Sequence, residues 1–511
     1  MHKQIPLILV FMTAFLLQGC SPSEPESPEL VLALSDPMQL GVAEAASLIR
    51  EGRITSTQLI QVSIAQAERN PDLNALITLA ADSALKASAA ADADFAAGII
   101  RGPLHGVPLV IKDNIHVANL PNSAGTPALR NFTPAQHAPI VQALVDAGAI
   151  ILAKANMHEL AMGISGYNEA FVTQLPAGVR NPYDTTRFAG GSSSGTAAAI
   201  AAGIVPGGLG TDTGGSVRIP AALTGGAGLR PTFGRYAANG ITPLDSARDT
   251  AGPMARTVVD VALLDAVITG TEIVTPAPLQ GVRLGILASR YADLDADTRQ
   301  VADTTLALLA AAGVELVDVD MPDLQALADA AGAAGRYLTR NSLSEYLDRY
   351  QVGLDLADIQ QQISDESLRN SFASRLSPMP LPELPALDGV NKEDPDAVRA
   401  ALLEVRARLA RYYQEIFERY EIEAIIFPTT PWVAVTQGPE GNTRDIFLVF
   451  VRNTEPASHA GLPGLSIPGG LGHHTGMPVG IELDGLPGSD ARILALGLAI
   501  EALIGPVPPP P

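Results

Sequence analysis

The sequence predicts an α/β protein, and three observations lead there. Val107–Ile111 and Ile150–Ala153 are short apolar runs bounded by Gly or polar residues, as buried strands are. The segment between them, near Pro139–Ala147, is helical in pattern, so the three together form a βαβ-like alternation. No long polar linker or internal repeat interrupts the chain from Leu40 to Leu503. With 47% hydrophobic and 17% charged residues in a chain of 511, one large buried core is expected rather than several small ones.

The first residues read as an export signal. Lys3 precedes an apolar run from Ile5 to Leu17, too short to span a membrane as a mature helix, and Leu17-Gln-Gly-Cys20 follows. That tetrapeptide resembles a bacterial lipobox, which implies a lipoprotein signal over 1–19, lipidation of Cys20 and a periplasm-facing location in the cell envelope. Ser21 after the cysteine, rather than Asp, favours the outer membrane by the same resemblance. Cys20 is the only cysteine, which excludes an intramolecular disulfide and any cysteine-based metal site. Residues 20–38, with Ser21-Pro-Ser-Glu-Pro-Glu-Ser-Pro28, form an extended tether that cannot bury a core.

The catalytic body is expected over 39–505. Leu40–Ala96 is helical in period, with Thr55-Ser56-Thr57 supplying a cap. Ala189–Thr232 is dense in Gly and Ser around an Ala-rich helix, Thr196–Ala202. Leu324–Tyr420 is mostly helical, broken by the Pro378–Pro385 loop. Ala424–Phe427 and Leu465–Pro468 read as further strands, and 506–511 as a disordered proline tail. The net charge of −21 arises from 54 acidic against 33 basic residues, with no Lys/Arg block, so nucleic acid is excluded as a partner.

Two segments carry the chemistry: Gly190-Gly-Ser-Ser-Ser-Gly195 and Gly210-Thr-Asp-Thr-Gly-Gly-Ser216-Val-Arg218. Such loops can cradle a phosphate, but neither has the lysine of a Walker-type loop. Acyl transfer fits better. Small residues before Ser216 place backbone donors beside a nucleophile, with the N–H groups of Thr213, Gly214, Gly215 and Ser216 as oxyanion-hole candidates. Gly191-Ser-Ser-Ser-Gly195 matches a nucleophile elbow centred on Ser193. That motif needs a strand directly before it, and Asn181–Ala189 is polar and turn-rich. His459, His473 and His474 lie downstream as potential bases. Lys112, at the end of the Val107–Ile111 run, is the alternative; burial would have to lower its pKa for it to accept a proton, and a second serine could relay that proton. No cofactor or metal ligand set is required.

Taken with Gly106-Val-Pro-Leu-Val-Ile-Lys112-Asp-Asn, these segments resemble the amidase signature family in order and spacing. The resemblance extends through Gly228–Thr232, Asp249–Pro253, Phe427–Thr430 and Gly476–Gly480. It implies a large mixed central β-sheet flanked by α-helices on both faces. It also implies a Ser-Ser-Lys triad: Ser216 as nucleophile, Ser192 as bridging serine beside a cis peptide, and Lys112 as base. Asp212 and Arg218 then brace the loop or form plain surface charge. Asn156–Leu160, Asn181–Asp184 and Thr211–Leu223 look most like indoleacetamide and mandelamide hydrolases, which implies a small aryl-substituted amide as substrate. Leu223-Thr224-Gly225 stands where the indoleacetamide group commonly carries a cysteine. Ester or carbamate hydrolysis by the same groups, a glutaminase subunit of a tRNA-dependent amidotransferase, and an inactive lipid-anchored binding protein are the other readings. Tyr167, Phe171 and Phe447 are pocket candidates, more commonly packing residues.

Overall fold

The computed structural model describes residues 40–172 and 175–511; the expected signal, Cys20 and the tether lie outside the described residues. The strands are β1 (Leu76–Leu79), β2 (Pro108–Lys112), β3 (Ile150–Ala155), β4 (Arg180–Asn181), β5 (Asp184–Phe188), β6 (Gly207–Asp212) and β7 (Ala227–Arg230), followed by β8 (Thr250–Ala255), β9 (Arg283–Leu287), β10 (Glu315–Val319), β11 (Ala424–Pro428), β12 (Gly464–Leu471) and β13 (Pro478–Asp484). Eleven of them make one mixed sheet in the order β1-β3-β2-β6-β8-β7-β12-β13-β11-β9-β10. β2 is parallel to both β3 and β6, β9 to β10 and β11, and the remaining pairings are antiparallel. Helices cover both faces, so the expected α/β architecture with a large mixed sheet is the one observed.

The central strands are buried along their whole length, which a sheet covered on both faces requires. In β6, where the sequence is Gly-Gly-Leu-Gly-Thr-Asp, small residues let neighbours approach. A Cβ at Gly208 would lie 2.3 Å from the Val110 carbonyl, and one at Gly210 2.6 Å from Ser193 Oγ. The helix Ser194–Ala201 is buried all round, and a Cβ at Gly195 would fall 2.2 Å from the Ala75 carbonyl. Close packing of backbone on backbone therefore sets this part of the core.

Differences from the sequence reading have physical causes. The helical stretch Leu40–Ala96 is interrupted by β1, an edge strand whose Leu-Ile-Thr-Leu is too short to break a helical period. It divides the stretch into helices Val42–Arg50, Ser56–Arg69 and Ala81–Ala96; Thr55 caps the second through a capping box with Gln58. Asn181–Ala189 is not simply turn-rich, since β4 and β5 form a hairpin there, separate from the main sheet. The elements after Leu324 follow expectation, with helices Leu324–Leu338, Ser342–Arg349, Leu356–Gln362, Glu366–Phe372 and Pro395–Tyr420. Residues 505–511 have no regular secondary structure, and Tyr183 donates a hydrogen bond to the Pro508 carbonyl at 2.6 Å. No helix among the described residues is long and apolar enough to cross a membrane.

The contact between β13 and the helix Arg218–Leu223 tests this packing. A Cβ at Gly480 would meet Ala222 Cβ at 2.4 Å and its Cα at 2.8 Å. Gly480→Ala is expected to destabilise the protein by about 1–3 kcal/mol through overpacking, read as a lower urea midpoint. An unchanged midpoint would mean that the helix slides freely on the sheet.

Candidate active site

The parallel strands β2 and β6 lie side by side, with Ile111 opposite Leu209, so Lys112 and Thr211–Asp212 emerge together at their carboxyl ends. This is where open α/β sheets place ligand sites. Lys112 is wholly buried. Its Nζ lies 2.8 Å from Ser192 Oγ and 2.7 Å from Thr211 Oγ1, and Asn114 Nδ2 donates to the same Thr211 hydroxyl at 3.1 Å. Among the described residues no carboxylate comes within ion-pair distance of Nζ. Burial lowers the pKa of Lys112 to about 7, against the pull of Asp212 and Asp249.

Ser192 begins at a cis peptide bond from Gly191. His158 donates its backbone N–H to the Ser192 carbonyl at 3.2 Å, and its ring, buried beside Ser165, is pushed down to about pKa 3 by burial and then by the Lys112 charge. It stays neutral. The next residue ties the two Gly/Ser segments together, since Ser193 N–H donates to the Ser216 carbonyl at 3.2 Å. Ser193 Oγ is itself occupied, donating to the Thr211 carbonyl and accepting from the Thr211 N–H, both at 3.2 Å. The elbow centred on Ser193 therefore does not present a free hydroxyl.

Ser216 is 7% exposed, and among the described residues no hydrogen bond engages its hydroxyl. The loop before it is held from several sides. Asp212 Oδ1 accepts from the Gly215 N–H at 2.9 Å and Oδ2 from the Val217 N–H at 3.2 Å. Thr213 Oγ1 donates to Asp249 at 2.6 Å, and Thr454 Oγ1 donates to the Gly214 carbonyl at 2.5 Å. Gly215 is thus a correction to the donor set: its N–H is committed to Asp212. The N–H groups of Thr213, Gly214 and Ser216 make no backbone bond among the described residues.

Asp212 and Arg218 are not surface charges, because both are fully buried. Arg218 Nε donates to Asp212 Oδ2 at 3.0 Å, and Arg230 Nη1 to Oδ1 at the same distance. Burial opposes ionisation of Asp212, but the two guanidinium groups overcome it and hold the carboxyl well below the usual carboxylate range. Arg218 also reaches Glu482 and, at 2.8 Å, Ser458 Oγ. Burial raises Glu482 above the ordinary carboxyl range against that pull.

The three downstream histidines stand elsewhere. His459 meets Arg248 and Glu455, His474 pairs with Asp297 at 3.1 Å, and His473 is exposed. No group of three His, Cys, Asp or Glu side chains among the described residues is arranged to hold a metal ion. Of the aromatic candidates, Tyr167 donates to Glu169, Phe171 lies under Arg130, and Phe447 packs against the main core. Sequence reasoning passed over Asn114, His158, Thr211, Asp249 and Thr454, which touch the catalytic candidates. All but Thr454 had a signal, since Asn114, His158, Thr211 and Asp249 lie within the motifs Gly106–Asn114, Asn156–Leu160, Gly210–Arg218 and Asp249–Pro253.

A mixed sheet that gathers a buried unpaired lysine, two glycine-flanked serines and an anchored loop at its strand ends defines a class of hydrolytic α/β enzyme. The chain belongs to the amidase family: the profile described as Amidase matches residues 58–494. It is 41% identical over 473 residues to mandelamide hydrolase of Pseudomonas putida, covering 92% of this chain and 93% of that protein. Indoleacetamide hydrolase of Agrobacterium vitis is 38% identical over 474 residues, covering 91% and 97%. Among solved structures, native peptide amidase from Stenotrophomonas maltophilia superposes with a TM-score of 0.75 at 30% identity, covering 93% of this chain and 98% of that one. The protein is accordingly an amidase-family enzyme.

The Asp212 anchor can be tested through stability. Asp212→Ala strands Arg218 and Arg230 as buried charges, and the expected cost is about 3–5 kcal/mol by urea denaturation. A loss below about 1 kcal/mol, in the range of an exposed pair, would contradict the burial described above.

Proposed function

We propose that the protein hydrolyses a small carboxylic amide, with an aryl substituent, to the acid and ammonia or an amine through an acyl-serine intermediate. Lys112 carries this reading: its amine is buried, has no carboxylate partner among the described residues and lies 2.8 Å from Ser192 Oγ. Such a lysine is half neutral near pH 7 and can take a proton. The mandelamide and indoleacetamide hydrolases that the chain is similar to support the substrate class.

In the reaction, Ser216 Oγ bonds to the amide carbon as its proton passes to Ser192, whose own proton passes to Lys112. Negative charge collects on the carbonyl oxygen. Donors drawn from the Thr213, Gly214 and Ser216 N–H groups stabilise it, each contributing about 3–4 kcal/mol by comparison with other oxyanion holes. Return of the proton through Ser192 to the nitrogen breaks the C–N bond and frees the amine. Water then attacks the ester by the same relay, releasing the acid and restoring Ser216.

Ser216→Ala and Lys112→Ala are each expected to lower turnover of mandelamide by about a thousandfold or more, whereas His459→Ala keeps it. Mass spectrometry of quenched wild type should find the acyl group on Ser216; turnover retained in Lys112→Ala, or an adduct elsewhere, would sink the assignment. The neutral amine is the active form, so acylation should rise with pH through about 7 and level off above it, because burial lowers the pKa of Lys112. A profile falling through that range would require an acid in its place.

We also propose that Cys20 anchors the enzyme to the bacterial cell envelope, on the strength of Leu17-Gln-Gly-Cys20 and the apolar run before it. Cys20→Ser should move the protein from the membrane fraction to the soluble one on cell fractionation. Membrane association that survives the change would argue against lipidation.

A further inference from the structure

A cavity of about 530 Å³ is walled by three segments far apart in sequence, near Leu244–Arg248, Arg336–Asn341 and Ser371–Met379. Met162, Leu244 and Arg375 border it and also a smaller inner cavity that reaches Asn114. Asn114 donates to Thr211 Oγ1, the hydroxyl that also contacts Lys112 Nζ, so the inner cavity, with room for only about 10 Å³, is walled by a residue that shares a partner with the buried amine. On the Leu244–Arg248 wall, Arg248 stands close to Gly214, since a Cβ there would be 3.9 Å from Arg248 Nη1. The large cavity therefore adjoins the Ser216 loop.

Its walls are cationic in a protein of net charge −21. Arg248 is neutralised locally, by Asp245 at 3.0 Å and Glu455 at 3.0 Å. Arg336, Arg340 and Arg375 form no ion pair among the described residues. Arg340 is held by the Tyr337 carbonyl at 2.6 Å and by the Tyr337 ring, 4.1 Å from its guanidinium carbon. Half-buried Arg375 lies over the Phe372 ring, 5.7 Å from its guanidinium carbon, and its hydrogen bonds are long. Both its terminal nitrogens converge on one acceptor, the Leu244 carbonyl, at 3.5 and 3.4 Å. Bonds that long are weak. Two parallel donors of a planar fork match the two oxygens of a carboxylate, whereas a single carbonyl oxygen leaves each poorly aligned.

We propose that this cavity recognises an anionic substituent on the substrate, and that Arg375 is a specificity-determining residue that pairs with a carboxylate remote from the scissile amide. Arg336 and Arg340, exposed at the rim, add long-range attraction that draws such a substrate in. The inference rests on the amide-hydrolase reading and narrows it: the preferred amide carries a negative charge at the end away from the carbon that Ser216 attacks.

The probes are 4-carboxyphenylacetamide and 4-acetylphenylacetamide, which are similar in shape and differ in charge. In wild type at low salt, kcat/KM is expected to favour the carboxylate roughly ten- to a hundredfold, the range of a hydrogen bond to a charged group. The preference should lie mostly in KM and shrink as ionic strength rises. In Arg375→Gln the ratio should fall about tenfold or more, with Arg375→Lys recovering part of it. Equal kcat/KM for the two probes in wild type, or an unchanged ratio in Arg375→Gln, would overturn the proposal. Should Arg375→Gln fail to fold, the salt dependence in wild type and the ratio in Arg340→Gln decide in its place. Calorimetric binding of both probes to Ser216→Ala separates this idea from the catalytic one. Tighter binding of the carboxylate supports the pocket even if that variant still hydrolyses amides, a result that would sink only the nucleophile assignment; equal binding there overturns the pocket whatever the catalytic result.

Discussion

Everything at the site depends on one carboxylate held between two guanidinium groups inside the sheet. Asp212 ends β6, accepts from the backbone of the Ser216 loop at Gly215 and Val217, and is clasped by Arg218 and Arg230. A buried charge of this kind is stable only when geometry and hydrogen bonds compensate for its lost hydration. Here the compensation comes from residues on β7, β13 and the helix after Ser216, so the loop is coupled to the middle of the sheet. Removing any one partner leaves the others uncompensated, and this makes the loop's shape rigid rather than adjustable.

The same principle, applied in the opposite direction, explains Lys112. Two buried lysines sit at the ends of neighbouring strands, and they are treated differently. Lys154 on β3 faces Asp113 at 3.4 Å and the Asn122 side chain at 3.1 Å. Lys112, one residue before Asp113, is given only oxygens of Ser192 and Thr211. Successive side chains on a strand point to opposite faces, so adjacent Lys112 and Asp113 cannot satisfy each other. A lysine surrounded by hydroxyls and denied a carboxylate is driven toward its neutral form, as a proton acceptor must be.

Around this centre the chain builds its large cavity from distant parts. The Pro378–Pro385 break between helices contributes Pro378 and Met379 to the cavity wall, the turn at Leu244–Arg248 connects it to the Ser216 loop, and the end of helix Leu324–Leu338 brings Arg336. Rigidity at the Ser216 loop and a polar, arginine-bearing cavity thus come from different layers of the fold. The first is a property of the sheet, the second of the helical segment after Leu324.

By itself the sequence determined the α/β class, the apolar runs of β2, β3, β11 and β12, the helices near Pro139 and after Leu324, and the order of the motifs holding Lys112, Ser192 and Ser216. These are local properties: apolar runs, helical period and short glycine-flanked signatures survive in a linear reading. It could not disclose β1, β6 or β8, because Leu-Ile-Thr-Leu is too short and Gly-Gly-Leu-Gly-Thr-Asp and Thr-Ala-Gly-Pro-Met-Ala lack the apolar runs that signal a strand. Only the tertiary structure decided that Asp212 and Arg218 are buried partners, that the Gly215 N–H is already taken, and that Ser193 is engaged by Thr211. It alone brought Arg375 beside Leu244 and close to the site. Burial and cavity walls arise from residues tens to hundreds of positions apart, and even a pair as near in sequence as Asp212 and Arg218 takes its charge state from the burial that the whole fold supplies.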